Sequence, residues 1–331
     1  PGVYKVVNDG KKQFKGWAII AGQDGTIWGI HDGGFFRVGG PSYQWPQHSK
    51  YIEQFEVALD GTVWVLSAGP TLDDRETDER DKPTIRSFDG STWTYGKRGE
   101  NLRVGTVPDG TVWARWAGRS GPVLARWGKD GWQRFDAQPP EDAGDVFMMN
   151  NGDMWARSWS DDGELSRLVD GTWQPLGPLV ADVDVGPDGT IWALRQPEPR
   201  LIEGGEPGNW ADFVTDDEGN AVFDHEDILM RLDGDDWQEW GPADGVPGGF
   251  GGVAVAQDGS VWGTTGQEGC EGIFRFDGRK WGRHLPGLCI DQFHIARDGS
   301  VWVLAGMGDD MDEDNWYGLY VITPEAAMEA E

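Results

Sequence analysis

The chain has 331 residues, of which 57 are acidic and 28 basic, and its formal net charge of −29 argues against nucleic acid and anionic membranes as partners. No apolar run approaches the roughly 20 residues of a transmembrane helix. Its 51 glycines, 19 prolines and 20 tryptophans indicate many tight turns around large aromatic anchors.

A five-residue motif, Asp/Asn-Gly-x-x-Trp, recurs seven times along the chain. Its copies are DGTIW (24–28), DGTVW (60–64), DGTVW (109–113), NGDMW (151–155), DGTIW (188–192), DGSVW (258–262) and DGSVW (298–302). A short apolar strand precedes each copy, and a second Asp-Gly hairpin follows most copies, as in IRSFDGSTW and IFRFDGRKW. Four strands repeating every 40 residues or so are typical of a propeller blade.

The repeats predict an all-β, seven-bladed propeller of four-stranded antiparallel blades over residues 1–324, with a C-terminal tail at 325–331. No segment sustains the i, i+3, i+4 spacing of a helix. Asp-Gly and Asn-Gly suit a two-residue reversal because these residues tolerate positive φ. We label the strands of a blade A to D from the channel outward.

The tryptophan that ends each motif is expected to fill the wedge between neighbouring blades. Seven equivalent positions favour this packing role over an aromatic platform for carbohydrate. The seven residues are Trp28, Trp64, Trp113, Trp155, Trp192, Trp262 and Trp302.

The two ends of the chain predict how the ring closes. The N-terminal segment GVYKVVNDGKKQF resembles strands C and D, whereas the last repeat stops after YGLYVITP, which resembles strand C. An N-terminal strand that completes the last blade would pair its open edge. The sequence leaves open whether one or two strands do so.

Aligning the A strands on their turns predicts two rows of residues around the central channel. They lie four and six positions before the turn Asp or Asn, and the residue between them is apolar. The ionisable members of the rows are Glu56, Arg103, Asp145, Asp182, Asp184 and His294. Because buried polar groups need partners or water, two explanations stay open: channel water or an Arg103–carboxylate pair, or a ligand site.

Three connections between strands B and C are long and acidic, at about 69–83, 196–227 and 306–316. In a propeller the B–C and D–A connections leave from one face, opposite the short turns. Loops of this kind commonly carry function. The charge favours a protein or a small cationic ligand as partner, although plain solubility explains it equally well.

Two of these insertions contain oxygen ligands close together in sequence, which suits Ca²⁺ with its roughly six to eight oxygen ligands. The candidates are Asp216, Asp217, Glu218, Asn220, Asp309, Asp310, Asp312 and Asp314. A solvated acidic loop is the alternative, and no other cofactor is expected. Trp210 and Trp316, in or beside the same insertions, are candidates for exposed contacts.

Cys270 and Cys289 are the only cysteines. They are expected in the B–C loop of the sixth blade and in the following D–A loop, two connections on the same face. A disulfide there would indicate an oxidising compartment. Two buried free thiols are the alternative.

Catalytic motifs are weak. The five histidines form no H-E-x-x-H pattern, and no G-x-S-x-G elbow occurs. A general base with metal assistance can be assembled only from His294 with Asp184 or Glu56 in the channel.

The segment EWGPADGVPGGFGGVAVAQDGSVWGTT, continued by EGIFRFDGRKWGRH, resembles the two-component regulator propeller repeat family. That resemblance implies a periplasmic or extracellular input region of a signalling protein. A weaker similarity, through VDVGPDGTIWAL, is to streptogramin lyases, which are also seven-bladed. The leading hypothesis is a non-catalytic extracytoplasmic binding propeller, used for sensing, adhesion or assembly, and the alternative is a metal-assisted lyase or hydrolase in the channel.

Overall fold

The computed structural model of the chain is a ring of seven four-stranded antiparallel sheets. This is the predicted seven-bladed propeller. The residues that the structure describes are 3–6, 18–31, 34–45, 51–68, 83–107, 109–119, 121–140, 143–149, 153–158, 165–176, 180, 182–195, 214, 228–233, 236–265, 270–306 and 318–327.

Strand β1 (Val3–Val6) belongs to the last blade, and the other strands follow in chain order. Blade 1 contains β2 (Ala18–Ala21), β3 (Ile27–His31), β4 (Gly34–Arg37) and β5 (Ser42–Gln44). Blade 2 contains β6 (Tyr51–Val57), β7 (Val63–Ala68), β8 (Thr84–Phe88) and β9 (Trp93–Arg98). Blade 3 contains β10 (Arg103–Thr106), β11 (Val112–Gly118), β12 (Gly121–Gly128) and β13 (Gly131–Arg134).

The second half of the ring repeats this order. Blade 4 contains β14 (Ala143–Met148), β15 (Met154–Ser158), β16 (Leu165–Val169) and β17 (Thr172–Pro175). Blade 5 contains β18 (Asp182–Val185), β19 (Ile191–Arg195), β20 (Ile228–Asp233) and β21 (Asp236–Trp240). Blade 6 contains β22 (Phe250–Val255), β23 (Val261–Thr265), β24 (Ile273–Phe276) and β25 (Trp281–His284), and blade 7 adds β26 (Cys289–Ile295), β27 (Val301–Gly306) and β28 (Gly318–Ile322) to β1.

Strand β1 closes the ring. It runs antiparallel to β28, with Val3 opposite Ile322 and Val6 opposite Leu319. It therefore supplies strand D of blade 7, one N-terminal strand in the outermost position. The backbone hydrogen bonds of this pairing satisfy an edge that would otherwise be open.

Seven hydrophobic clusters lie among the described residues, one at each interface between neighbouring blades. Six of the seven motif tryptophans are buried, as predicted, and the last, Trp302, is half-buried. Trp302 belongs to the smallest cluster, at the seam between blades 7 and 1, where Ile19, Leu304 and Leu319 are the buried members. The blades therefore adhere through apolar faces, in several of which one buried motif tryptophan packs among aliphatic side chains.

Several motif tryptophans carry an arginine from the neighbouring C strand over their ring. Trp262 lies opposite Arg275 in the register of β23 and β24, and the guanidinium carbon is 6.0 Å from the ring centre. Arg275 also donates to Asp258 of the preceding turn at 2.9 Å. The arginine of the R-F-D-G segment thus links the turn to the tryptophan through an ion pair and a cation–π contact.

The A–B turns are longer than the two-residue reversals expected from the sequence. In blade 1 the Gly25 N–H donates to the Gly22 carbonyl, and the Gly22 N–H donates to the Thr26 carbonyl. Of these turn residues, only Gly25 has a positive φ, of 80°. Asp24 instead accepts the Thr26 N–H on its carboxylate at 3.0 Å, a side-chain cap that Asp makes readily in turns. A two-residue turn does occur in the C–D hairpin of blade 4, where Asp170 and Gly171 have φ of 48° and 79°.

One short helix, α1 (Pro324–Ala327), follows the last strand where the sequence predicted none. Ala327 packs into the cluster between blades 6 and 7 and is only 5% exposed. The expected tail is therefore packed against the ring at Ala327. In the described part of the chain, no helix has the length and apolarity of a membrane span.

Candidate functional site

The predicted channel rows lie beside the motif tryptophans. Glu56 pairs with Trp64, Asp184 with Trp192 and His294 with Trp302 in the registers of their blades. Directly paired residues in antiparallel strands project to the same side of the sheet. These polar side chains therefore lie on the face toward the next blade, at the channel end of the interface.

Strand β6 is tied in this way to blade 3. Gln54 accepts the Val104 backbone N–H at 3.0 Å, and Glu56 accepts the Thr106 hydroxyl at 3.1 Å. Both acceptors sit on one A strand and both donors on the next. The two side chains therefore satisfy polar groups of β10 that its own sheet leaves unpaired.

Strand β18 makes the same kind of tie to blade 6, with two carboxylates. Asp182 accepts the Val253 N–H and Asp184 the Val255 N–H, each at 2.7 Å. The second oxygen of each carboxylate accepts the N–H of the next residue in its own strand, at 2.9 Å for Asp182 and 2.8 Å for Asp184. Each carboxylate thus uses both oxygens within the fold.

A third tie crosses the closing seam from blade 7 to blade 1. Gln292 accepts the Ile19 N–H at 3.2 Å, and His294 is hydrogen-bonded with the backbone of Ile19. The interface between blades 3 and 4 has a different tie, from the Arg115 guanidinium to the Ala143 carbonyl at 2.7 Å. Among the described residues, four of the seven interfaces are therefore joined by a polar side chain bonded to the next blade.

These bonds between blades are a kind of contact that the sequence did not predict. Glu56, Asp182 and Asp184 bond to groups of the next inner strand rather than to Arg103. Sequence reasoning also passed over Gln54 and Gln292, which make the same bonds. The signal was available, since in blades 2, 5 and 7 polar residues occupy both aligned positions, and the residue between them is apolar.

Burial shifts the pKa values of the channel groups. It raises the pKa of Glu56 to about 7 against the hydrogen bonds from Thr106, and that of Asp184 to about 6 against those from Val255 and Val185. It lowers the pKa of His294 to about 4. In each case burial disfavours the charged form.

A cavity of about 370 Å³ lies at the inner ends of blades 2 to 5. Three of the predicted channel residues, Glu56, Arg103 and Asp182, line it together with Gln54 and Arg157. Thr106, Trp113 and the apolar residues Val146, Leu165, Val180 and Val183 complete most of its wall. Cavities of roughly 300 to 1,000 Å³ accommodate small molecules.

The three residues of the proposed catalytic set bond toward three different blades. His294 bonds toward blade 1, Asp184 toward blade 6 and Glu56 toward blade 3. Of the three, only Glu56 lines the cavity. The side chain of Asp145 lies outside the described residues.

The predicted calcium ligands Asp216, Asp217, Glu218, Asn220, Asp309, Asp310, Asp312 and Asp314, with Trp210 and Trp316, also lie outside the described residues. The strand ends that carry these insertions are described. Strands β7, β19 and β27 end at the same face of the ring, and β8, β20 and β28 begin there. We call this side, reached by the B–C connections, the loop face.

The two cysteines form the expected disulfide, Cys270–Cys289. Cys270 precedes β24 in blade 6. Cys289 is the first residue of β26 and pairs with Gly306, so it lies in the strand rather than in the loop before it. The bond therefore joins blades 6 and 7 at the loop face, beside the seventh-blade insertion.

The raised pKa of Glu56 predicts a pH-dependent loss of stability. Between pH 4.5, the usual pKa of a glutamate, and about pH 7, Glu56 binds its proton more tightly in the folded state than in the unfolded chain. The stabilisation is complete below the lower value and is lost as the pH rises through the upper one. Since one pKa unit corresponds to about 1.4 kcal/mol, wild type should lose at least ~1 kcal/mol relative to Glu56→Gln between about pH 5 and about pH 8.

Urea unfolding of both proteins at the two pH values measures this difference. Glu53→Gln is the matched control, because Glu53 is exposed on the same strand. This control should retain the pH profile of wild type. Parallel profiles for wild type and Glu56→Gln would contradict the assignment.

No protein-family model and no curated protein matches the sequence. Solved structures do. The extracellular domain of the putative hybrid two-component system BT3049 from B. thetaiotaomicron aligns with a TM-score of 0.57 and 10% identity over 99% of this chain and 42% of that one. Catalytically inactive virginiamycin B lyase from Staphylococcus aureus, solved with quinupristin, aligns with a TM-score of 0.55 and 12% identity over 96% and 98% of the two chains.

YCF48 bound to D1 peptide aligns with a TM-score of 0.54 and 14% identity over 98% of this chain and 97% of that one. Identities at this level show a shared fold. The two resemblances drawn from the sequence, to two-component system propellers and to lyases, are thus both found among similar structures.

Proposed function

We propose that the chain is a non-catalytic binding propeller that works outside the cytoplasm, as a sensor input, adhesion module or assembly subunit. Its partner is a basic protein or a small cationic ligand bound at the loop face. One observation carries this proposal. The insertions at 69–83, 196–227 and 306–316 contain 21 acidic and four basic residues, a net charge of −17 out of −29, and all three leave from the loop face.

The use of the inner-strand carboxylates supports a binding role over a catalytic one. Asp182 and Asp184 each accept two backbone N–H groups, and Glu56 accepts a hydroxyl of the next blade. A catalytic carboxylate needs an oxygen within reach of its substrate. Here one oxygen of each carboxylate bonds the next blade, and the second oxygens of Asp182 and Asp184 accept N–H groups of their own strand.

The extracytoplasmic compartment is supported by the disulfide between Cys270 and Cys289. Disulfides persist in oxidising compartments and are rare in the cytosol. Similar propellers include extracellular domains of two putative signalling systems of B. thetaiotaomicron.

The loop-face proposal is tested by two variants. One removes three negative charges from the loop face, and the other removes three from the opposite face. Replacing Asp309, Asp310 and Asp312 by asparagine removes three charges from an insertion at the loop face. Binding of Ca²⁺ and of a lysine-rich peptide, measured by calorimetry at low salt, should weaken at least tenfold, or about 1.4 kcal/mol. The melting temperature should stay close to that of wild type.

The matched control neutralises three exposed carboxylates in C–D hairpins, Asp130, Asp233 and Asp236, on the opposite face. Net charge changes equally in both variants. If both variants weaken binding to the same extent, the effect is general electrostatics and the loop face is not the site. If the first variant binds as wild type does, the proposal is wrong.

A second candidate is a metal-assisted lyase or hydrolase of the channel. The observation in its favour is Glu56, whose pKa of about 7 suits general acid–base work and which lines the cavity. Incubation with quinupristin and divalent metal ions, followed by mass spectrometry, tests it. Turnover that disappears in Glu56→Gln would favour the enzyme; intact quinupristin would leave the binding propeller as the better explanation.

A further inference from the structure

Blade 3 differs from the other blades at the position opposite its motif tryptophan. Gly105 pairs with Trp113, whereas the other six blades carry a side chain there. A Cβ on residue 105 would lie 2.5 Å from Cε2 and 2.6 Å from Nε1 of Trp113. Only glycine therefore lets this indole lie across strand β10, and Trp113 lines the cavity as a result.

Two opposite charges line the same cavity without forming an ion pair among the described residues. Glu56 has Thr106 as its partner, and the Arg103 guanidinium donates to the Leu102 carbonyl at 3.0 Å. Burial of the Glu56 charge outweighs its hydrogen bonds, and no compensating cation lies beside this carboxylate in the part of the chain that the structure describes. Arg103 is exposed and lies on the adjacent strand.

The other charged pair of the wall is already balanced. Asp182 uses both oxygens on backbone N–H groups and interacts electrostatically with Arg157. The charges left for a ligand are therefore one carboxylate and one guanidinium, beside an indole.

We propose that this cavity binds a small zwitterion of the betaine or α-amino-acid class, with its ammonium group against Glu56 and Trp113 and its carboxylate against Arg103. A desolvated ammonium gains from both a carboxylate and an aromatic ring. A guanidinium is well suited to bind a carboxylate through paired hydrogen bonds. The site is formed by inner strands and does not depend on binding at the loop face.

Calorimetry with glycine betaine, L-alanine and two matched compounds tests the proposal. In 3,3-dimethylbutyrate a carbon replaces the betaine nitrogen, so only the cation is lost, and choline lacks the carboxylate. At about pH 8, where Glu56 is ionised, at least one of the two zwitterions should bind, and both matched compounds should bind at least tenfold more weakly than glycine betaine or not at all. Absence of saturation by both zwitterions up to about 10 mM, enough to reveal a Kd of ~1 mM, overturns the proposal.

Variants then locate the site. Glu56→Gln and Arg103→Gln should each weaken zwitterion binding at least tenfold, while Glu53→Gln, on the exposed side of β6, should bind as wild type does. Circular dichroism melting establishes that each variant is folded. Equal binding by wild type and both cavity variants would place the ligand elsewhere and overturn the assignment.

The two proposals fail separately. The asparagine variant of Asp309, Asp310 and Asp312 should bind the zwitterion normally, because these residues lie outside the inner strands. Loss of zwitterion binding in that variant, with the cavity variants unaffected, would contradict the cavity site while supporting the loop face.

Discussion

Replacing Trp155 by alanine is expected to lower the free energy of unfolding by about 3 to 5 kcal/mol. Trp155 is 0% exposed and packs between blades 4 and 5 against Val185, Ile191 and Met230. Its indole nitrogen has no hydrogen-bond partner in the described part of the chain. The loss therefore reflects packing: removal of the ring from an apolar interface and the space it leaves behind.

Trp302→Ala is the matched control, since Trp302 occupies the same motif position in blade 7 but is half-buried. Trp302→Ala should lower the free energy of unfolding clearly less than Trp155→Ala does, even though the indole N–H of Trp302 donates to the Ser300 hydroxyl at 3.1 Å. Urea unfolding followed by tryptophan fluorescence and circular dichroism gives both values. Equal costs would show that the motif position, rather than burial at the blade interface, decides the energy.

Removing the disulfide by Cys270→Ser together with Cys289→Ser is expected to cost about 3 kcal/mol, the value of the loop-entropy model for a closed loop of this length. The two residues are 19 positions apart. Strands β24 and β25 lie between them, so the bond links blade 6 to blade 7 as well as closing a loop. In the unfolded chain the same bond limits how far apart the segments that form the two blades can move.

Unfolding with and without reductant measures this contribution. Reductant should destabilise wild type by the same amount and leave the double variant unchanged. Thiol titration of denatured, unreduced wild type should find no free thiol. Two free thiols would remove the bond and the main support for an oxidising compartment.

The ring has a seam where blades 7 and 1 meet. Among the described residues, its cluster has three buried members, and its tryptophan is half-buried. Two further contacts stabilise this part of the ring. Strand β1 pairs with β28 within blade 7, and Gln292 and His294 of blade 7 form hydrogen bonds with the backbone of Ile19 in blade 1. Backbone pairing and polar ties therefore add to the smallest of the apolar clusters that the described residues form.

The sequence by itself determined the number of blades, the strand order within them and the burial of most of the motif tryptophans. These features follow from short-range patterns, because turn residues and alternating apolar residues act over a few positions and repeat seven times. The acidic insertions were equally plain from composition, since charge can be counted without coordinates.

The tertiary structure alone decided which atoms the channel residues contact. Glu56 bonds a residue 50 positions away, Asp184 one 71 positions away and Gln292 one 273 positions away. Asp184 and Gln292 accept backbone N–H groups, which every residue except proline carries, so no sequence pattern marks these partners. The cavity depends likewise on how four inner strands converge, and Gly105 becomes informative only once Trp113 is seen to lie across it.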